Sequence, residues 1–168
     1  MVTLSRRFSF GLNALLFFAV FLSLYTLYQL SEPLLIHYFN WLAASVAWVA
    51  GLLDPAFGAR GNLILYAGRP ELRVVEGCDG ITVFNLIIAA VLAFPKPWRQ
   101  RLIGVLVLVP ILFGINWLRL LILAEIRIYM PEFFGFVHVY LFQPVMIFAT
   151  FVGFILWILH DASTPKAS

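Results

Sequence analysis

VEGCDGITVFNLIIAAVLAFP, residues 75–95, sets the one cysteine of the chain, Cys78, at the mouth of a hydrophobic segment. Glu76, Asp79, Gly77 and Gly80 crowd around it immediately before Ile81 opens the apolar run. A packing cysteine behaves as a small hydrophobe and keeps apolar company; this one does not. Glycines admit the close approach of a second backbone, and the free N–H groups of a helix start favour an anion such as a thiolate. The stretch reads as a reactive site at a membrane surface.

The rest of the chain supplies the membrane. Of 168 residues, 63% are hydrophobic and 11% charged, and the mean hydropathy is +0.99, against about 45–50% apolar and about 25% charged in soluble proteins. The chain is therefore an all-α integral membrane protein, a single membrane-embedded domain over residues 1–168. Its net charge of +3 is small and its basic residues fall in short clusters between apolar runs, which argues against nucleic acid as a partner and for the lipid bilayer. A single cysteine excludes an internal disulfide and leaves a free thiol that can face an oxidising space. No residue pattern calls for a metal or another cofactor.

Working outward, residues 8–30 form an uncharged run of about one bilayer span behind Arg6 and Arg7. This run is too long for a signal-peptide core and lacks a cleavage site, so it is expected to be a retained first span. Residues 36–53 are only marginally long enough to cross, and His37, Asn40, Trp41, Ser45 and Trp48 give them an interfacial character. Residues 54–75 turn polar, with strands expected at 63–66 and 72–75 about an Ala67-Gly68-Arg69-Pro70 turn. This small extracytoplasmic hairpin leads into Cys78. Residues 81–94 are the next apolar run. Residues 102–123 follow, carrying Asn116 and Arg119 near the far end, and residues 133–159 close the series with His138 near their start and a polar tail with Lys166 behind them.

Lys96, Arg99 and Arg101, with Trp98 among them, make the 95–101 loop basic and hence cytoplasmic. Cys78 then lies outside, and Arg6 and Arg7 also lie inside only if residues 36–53 lie along or dip into the outer face without crossing. The expected architecture is a bundle of four crossings plus that interfacial helix; five crossings, with the N-terminus outside, is the alternative.

At about 1.5 Å per helical residue, Arg119 stands roughly 25 Å above Leu102, Cys78 roughly 24 Å above Phe94 and His138 roughly 31 Å above Leu159. All three reach the outer boundary of a core about 30 Å thick. Asn116 and Arg119, three apart, share a helix face. Each residue has a plain reading alone: an inert cysteine, a snorkelling arginine, an interfacial histidine. Together they suit acyl transfer by a thiolate, with Cys78 attacking a peptide carbonyl, His138 moving the proton and Arg119 stabilising thiolate or oxyanion. Glu76 and Asp79 work against the thiolate, and Arg119 offsets them. A non-catalytic assembly subunit held together by polar helix contacts, or a small transporter using Arg119 and Glu76, would need no nucleophilic thiol.

The motifs E-G-C-D-G-I at Glu76 to Ile81, N-x-x-R at Asn116 and Arg119, and F-x-H-x-Y-x-F-Q around His138 resemble those of the exosortase/archaeosortase family, in particular its short members of the exosortase H type. The similarity covers roughly residues 61–159. It implies a cysteine transpeptidase or protease of the bacterial inner membrane, multi-pass, with its active site facing the periplasm. Its partners would be membrane-anchored substrate proteins whose C-terminal sorting signals it cleaves. By motif, Cys78 is the nucleophile and Arg119 and His138 its catalytic partners, with Glu76 and Asn116 supporting. Asp79 stands where asparagine or serine is the commoner residue after the cysteine.

Overall fold

The computed structural model describes residues 2–160, and side chains for 11–31 and 34–160; the side chains of Arg6 and Arg7 and the tail with Lys166 lie outside the described residues. Two long helices come first, α1 (Val2–Leu30) and α2 (Glu32–Leu53). They are followed by the strands β1 (Phe57–Arg60), β2 (Leu63–Tyr66) and β3 (Arg69–Arg73), then α3 (Ile81–Ala93) and α4 (Trp98–Tyr129). The chain ends with α5 (Pro131–Phe136), a π-helical segment (Val137–Phe142) and α6 (Gln143–His160). Gly11–Leu30, Leu34–Leu53, Trp98–Tyr129 and Pro131–His160 are long and apolar enough to cross a membrane, while Ile81–Ala93 is a shorter apolar helix. The protein is a helical integral membrane protein.

Two levels meet along α4, which at 32 residues is about 48 Å long. At the end holding the 95–101 loop, α1 packs antiparallel to α3: Asn13 and Phe17 lie beside Phe94 and Pro95, and Tyr28 reaches Asp79. Ile87 and Val91 of α3 bury against Leu108 and Leu112 of α4, with Phe154 and Trp157 of α6 closing the cluster. Gly104 makes that closure possible, since an added Cβ would fall 2.5 Å from the Trp157 indole nitrogen.

The expectation for residues 36–53 needs correction. They form no helix lying flat in the interface; α2 stands upright and parallel to the other half of α4. Trp41 stacks on Phe113 with centroids 5.9 Å apart, the Trp117 indole donates to Ser45 Oγ at 2.9 Å, and the Tyr129 hydroxyl donates to Asp54 at 2.7 Å. Because α2 rises from the level of Asp79 towards the far end of α4, it does not run back to the basic loop. Four legs therefore run between the basic loop and the level of Asp79, formed by α1, α3, the first part of α4 and α6. The physical reason is burial: Leu42, Ala43, Val46, Ala47 and Ala50 make one small-residue stripe that a flat interfacial helix would leave unpacked.

The hairpin is present, with a third strand in front of it. The sheet is antiparallel in the order β1-β2-β3, the pairing shifts register between Ile64 and Leu65, and β3 begins at Arg69 where Leu72 was expected. Gly58, which reads as punctuation, pairs with Leu65 inside β1; that pairing hid the strand. Asp54 pins the sheet to α4, accepting hydroxyl bonds from Tyr66 at 2.9 Å and Tyr129 at 2.7 Å. The Ala56 N–H, with these two hydroxyls, holds its carboxyl below the usual range.

The basic loop also closes helix ends. Lys96 Nζ donates to the carbonyls of Trp157 and Ile158 at 3.0 and 3.1 Å, and Arg101 donates to those of Lys96 and Leu92 at 2.7 Å each. Cations at helix C-termini satisfy the last carbonyls and complement the dipole. In a Cys78→Ser background, cysteines placed at Ala59 in β1 and at Gln100 in the loop should react with an impermeant thiol reagent from opposite faces of sealed vesicles. Labelling of both from one face would contradict the four-leg arrangement.

Candidate active site

Cys78 sits in a tight turn where the two levels join. Its N–H donates to the Val75 carbonyl at 3.0 Å, and Gly77 and Gly80 take φ of 84° and 82°, left-handed values that cost other L-residues roughly 1–2 kcal/mol. Gly80 is required a second time. A Cβ there would lie 2.8 Å from the Phe84 ring and 2.9 Å from the Asn116 amide carbon. The close approach expected of these glycines is thus made by a side chain, Asn116, and not by a second backbone.

Asn116 is wholly buried. Its Nδ2 donates to the Cys78 carbonyl at 3.2 Å, and its Oδ1 accepts from Arg119 Nη1 at 3.1 Å. The i, i+3 spacing on α4 puts the two side chains on one face, and the amide orients the guanidinium relative to the cysteine turn. Arg119 is 5% exposed, and its Nε and Nη2 make no hydrogen bond. A buried cation with unused donors is costly in a membrane and marks functional sites. Its charge acts on Cys78, Asp79 and His138 alike.

His138 lies in the π-helical segment, stacked on Phe134 at 5.6 Å and 4°, with its Nδ1 buried and unpartnered. A π-turn inserts a residue into the helical phase, and such turns concentrate at functional sites. The structure joins Cys78, Asn116 and Arg119 by hydrogen bonds, and His138 lies within range of the Arg119 charge. Glu76 is not among them: it is exposed and accepts from the Gln29 amide, beside a cavity of about 390 Å³ between α1, α2 and the cysteine turn.

Sequence reasoning named Asp79 as an acid beside the cysteine but missed the tyrosines that hold it. Asp79 is fully buried; its Oδ2 accepts from the Tyr28 hydroxyl at 2.8 Å, its Oδ1 from the Ile81 N–H at 3.3 Å, and its backbone carbonyl from the Tyr38 hydroxyl at 2.9 Å. The first N–H of α3, expected to favour a thiolate, is therefore taken by Asp79. Tyrosines near a span end read as interface belt, so no local signal singled out Tyr28 or Tyr38. Burial pushes the Cys78 thiol up; Arg119 pulls it down and Asp79 pushes it further up.

The family model described as transmembrane exosortase (Exosortase_EpsH) matches residues 2–158. The chain belongs to the transmembrane exosortase family. Neither the curated proteins nor the solved structures contain a match to it.

Gly80→Ala should disturb this site more than its size suggests. The left-handed backbone and the displaced Asn116 together should cost about 1–3 kcal/mol. The expected result is a lower thermal midpoint in detergent and an altered rate of Cys78 alkylation; a variant matching the parent in both would show that the turn is not clamped by Asn116.

Proposed function

We propose that this exosortase is a membrane cysteine transpeptidase or peptidase that cleaves C-terminal sorting signals of exported proteins at the outer face of the bacterial inner membrane. The observation that carries the reading is the pair of bonds made by Asn116, which ties the turn of the one cysteine to a buried arginine in a family of exosortases.

The chemistry follows from these groups. Cys78 Sγ gives its proton to His138, whose Nδ1 has no protein partner, and attacks the scissile carbonyl carbon. As the C–S bond forms, the carbonyl oxygen takes the negative charge, and the unused Nε and Nη2 donors of Arg119 stabilise it. Collapse breaks the C–N bond, and His138 returns the proton to the leaving amine. The substrate remains as a thioester on Cys78 until water or an amine attacks it and restores the thiol. Removing this cation's donors should cost on the order of 10² to 10³ in rate.

Cys78→Ser should insert and accumulate normally yet leave a tagged substrate protein uncleaved. Cleavage by Cys78→Ser at the parent rate would end the reading. Arg119→Ala should be nearly silent and Arg119→Lys at most partly active, because lysine keeps the charge but loses the planar fork. Full activity of Arg119→Lys at normal protein levels would make Arg119 a snorkelling anchor. Loss of cleavage in His138→Ala, with Cys78 alkylation retained, would place the histidine in proton transfer and not in the fold.

A further inference from the structure

We propose that Asp79 is a positioning residue of the nucleophile: tied to Tyr28 of α1, its buried carboxylate holds the Cys78 turn and shares the field of Arg119, so that one cation serves two anionic groups. The proposal rests on reading Cys78 as the nucleophile.

Three helices reach this turn through one residue or its neighbour. Tyr28 of α1 donates to the Asp79 carboxylate, Tyr38 of α2 to the Asp79 carbonyl, and Asn116 of α4 to the Cys78 carbonyl. An asparagine at position 79 would keep one acceptor oxygen, Oδ1, for the Ile81 N–H and turn its Nδ2 donor to the Tyr28 hydroxyl oxygen, reversing that bond, so the hydrogen bonds alone do not exclude an amide. What the carboxylate adds is charge, fully buried, at a depth where an ionised side chain is costly. The charged and titratable groups facing it are Tyr28 from α1, Tyr38 from α2, Arg119 from α4 and Cys78 beside it. The Arg119 charge also reaches His138 in the π-segment, and Glu76 acts on Tyr28.

Arg119 is therefore not free to serve the thiolate alone. Burial pushes the Asp79 carboxyl up, and the Tyr28 hydroxyl and the Ile81 N–H hold it down; when it is ionised, the net charge around Cys78 is close to balanced before the thiol loses its proton, and forming the thiolate adds an uncompensated negative charge. Burial and the Asp79 charge both push the Cys78 thiol up, while Arg119 lowers it. The arrangement keeps the cysteine protonated until a base takes its proton, and Tyr28 fixes the balance by holding the carboxylate in place. Tyr28 and Glu76 also line the cavity at the α1–α2 junction, so a peptide seated there would meet the phenol that grips Asp79.

The test is the pH dependence of Cys78 alkylation by iodoacetamide in the purified full-length protein, which needs no substrate. Asp79→Asn keeps the shape and one acceptor oxygen and removes the charge. Its alkylation midpoint should lie about one pH unit or more below that of the parent, the usual size of a near-charge effect. An unchanged or higher midpoint would overturn the proposal. Tyr28→Phe should also move the midpoint, and that shift should disappear when Asp79→Asn is present. A shift of equal size with and without the carboxylate would mean that Tyr28 does not act through Asp79. Should Asp79→Asn fail to accumulate, Tyr28→Phe decides alone, an unmoved midpoint being the contrary result. Cleavage assays on Cys78→Ser separate the two readings. If that variant still cleaves, the nucleophile assignment fails while the alkylation profiles still report on the Asp79 charge.

Discussion

Everything near Cys78 depends on the amide of Asn116. In a bundle with apolar surroundings an unsatisfied buried amide costs about 1–3 kcal/mol, and Asn116 avoids that cost by donating to the Cys78 carbonyl and accepting from Arg119. Each bond restricts the other. Replacing either partner frees the amide to rotate, and the guanidinium loses its orientation relative to the cysteine turn. Gly80 is what lets the amide come this close, because any Cβ there would occupy its place.

The site lies where two packing systems share α4. On one side α3, α4 and α6 interlock around Ile87, Val91, Leu108 and Leu112; on the other, α2 and the sheet pack around Leu42, Val46, Ile64 and Leu120. At 13 residues, α3 rises only about 20 Å, and so delivers Cys78 to the junction and not to the end of the molecule. The sheet then stands beyond the site, fastened by Asp54 to Tyr66 and Tyr129.

Apolar burial cannot hold the membrane part together by itself, since lipid tails solvate leucine as well as another helix does. Leu30, Leu53, Tyr140 and Phe148 are accordingly exposed on the periphery. Close fits and polar bonds take over, as in Gly104 against Trp157, Trp117 to Ser45, and Lys96 to the end of α6. The Asp79 group belongs to the same set. Its tyrosine donors from α1 and α2 fasten those helices to the cysteine turn, beside the bond from Gln29 to Glu76.

Hydropathy and local motifs determined the membrane class, the helical runs, the basic loop, and the short list Cys78, Asn116, Arg119 and His138, because each of these is a property of neighbouring residues. That the cysteine, arginine and histidine all lie towards the outer boundary likewise follows as an expectation from counting residues along helices of fixed rise. Partners far apart in the chain do not. Tyr28 and Asp79 are 51 positions apart, and nothing along those positions tells a tyrosine that grips a carboxylate from one resting at the interface. The upright stance of α2 likewise depends on Ser45 meeting Trp117, 72 positions away, while its marginal length and mixed polarity read locally as interfacial. The place of Glu76, beside Gln29 and away from Arg119, was also decided by how α1 packs on the turn. Side-chain direction across helices is set by packing, and only the tertiary structure carries it.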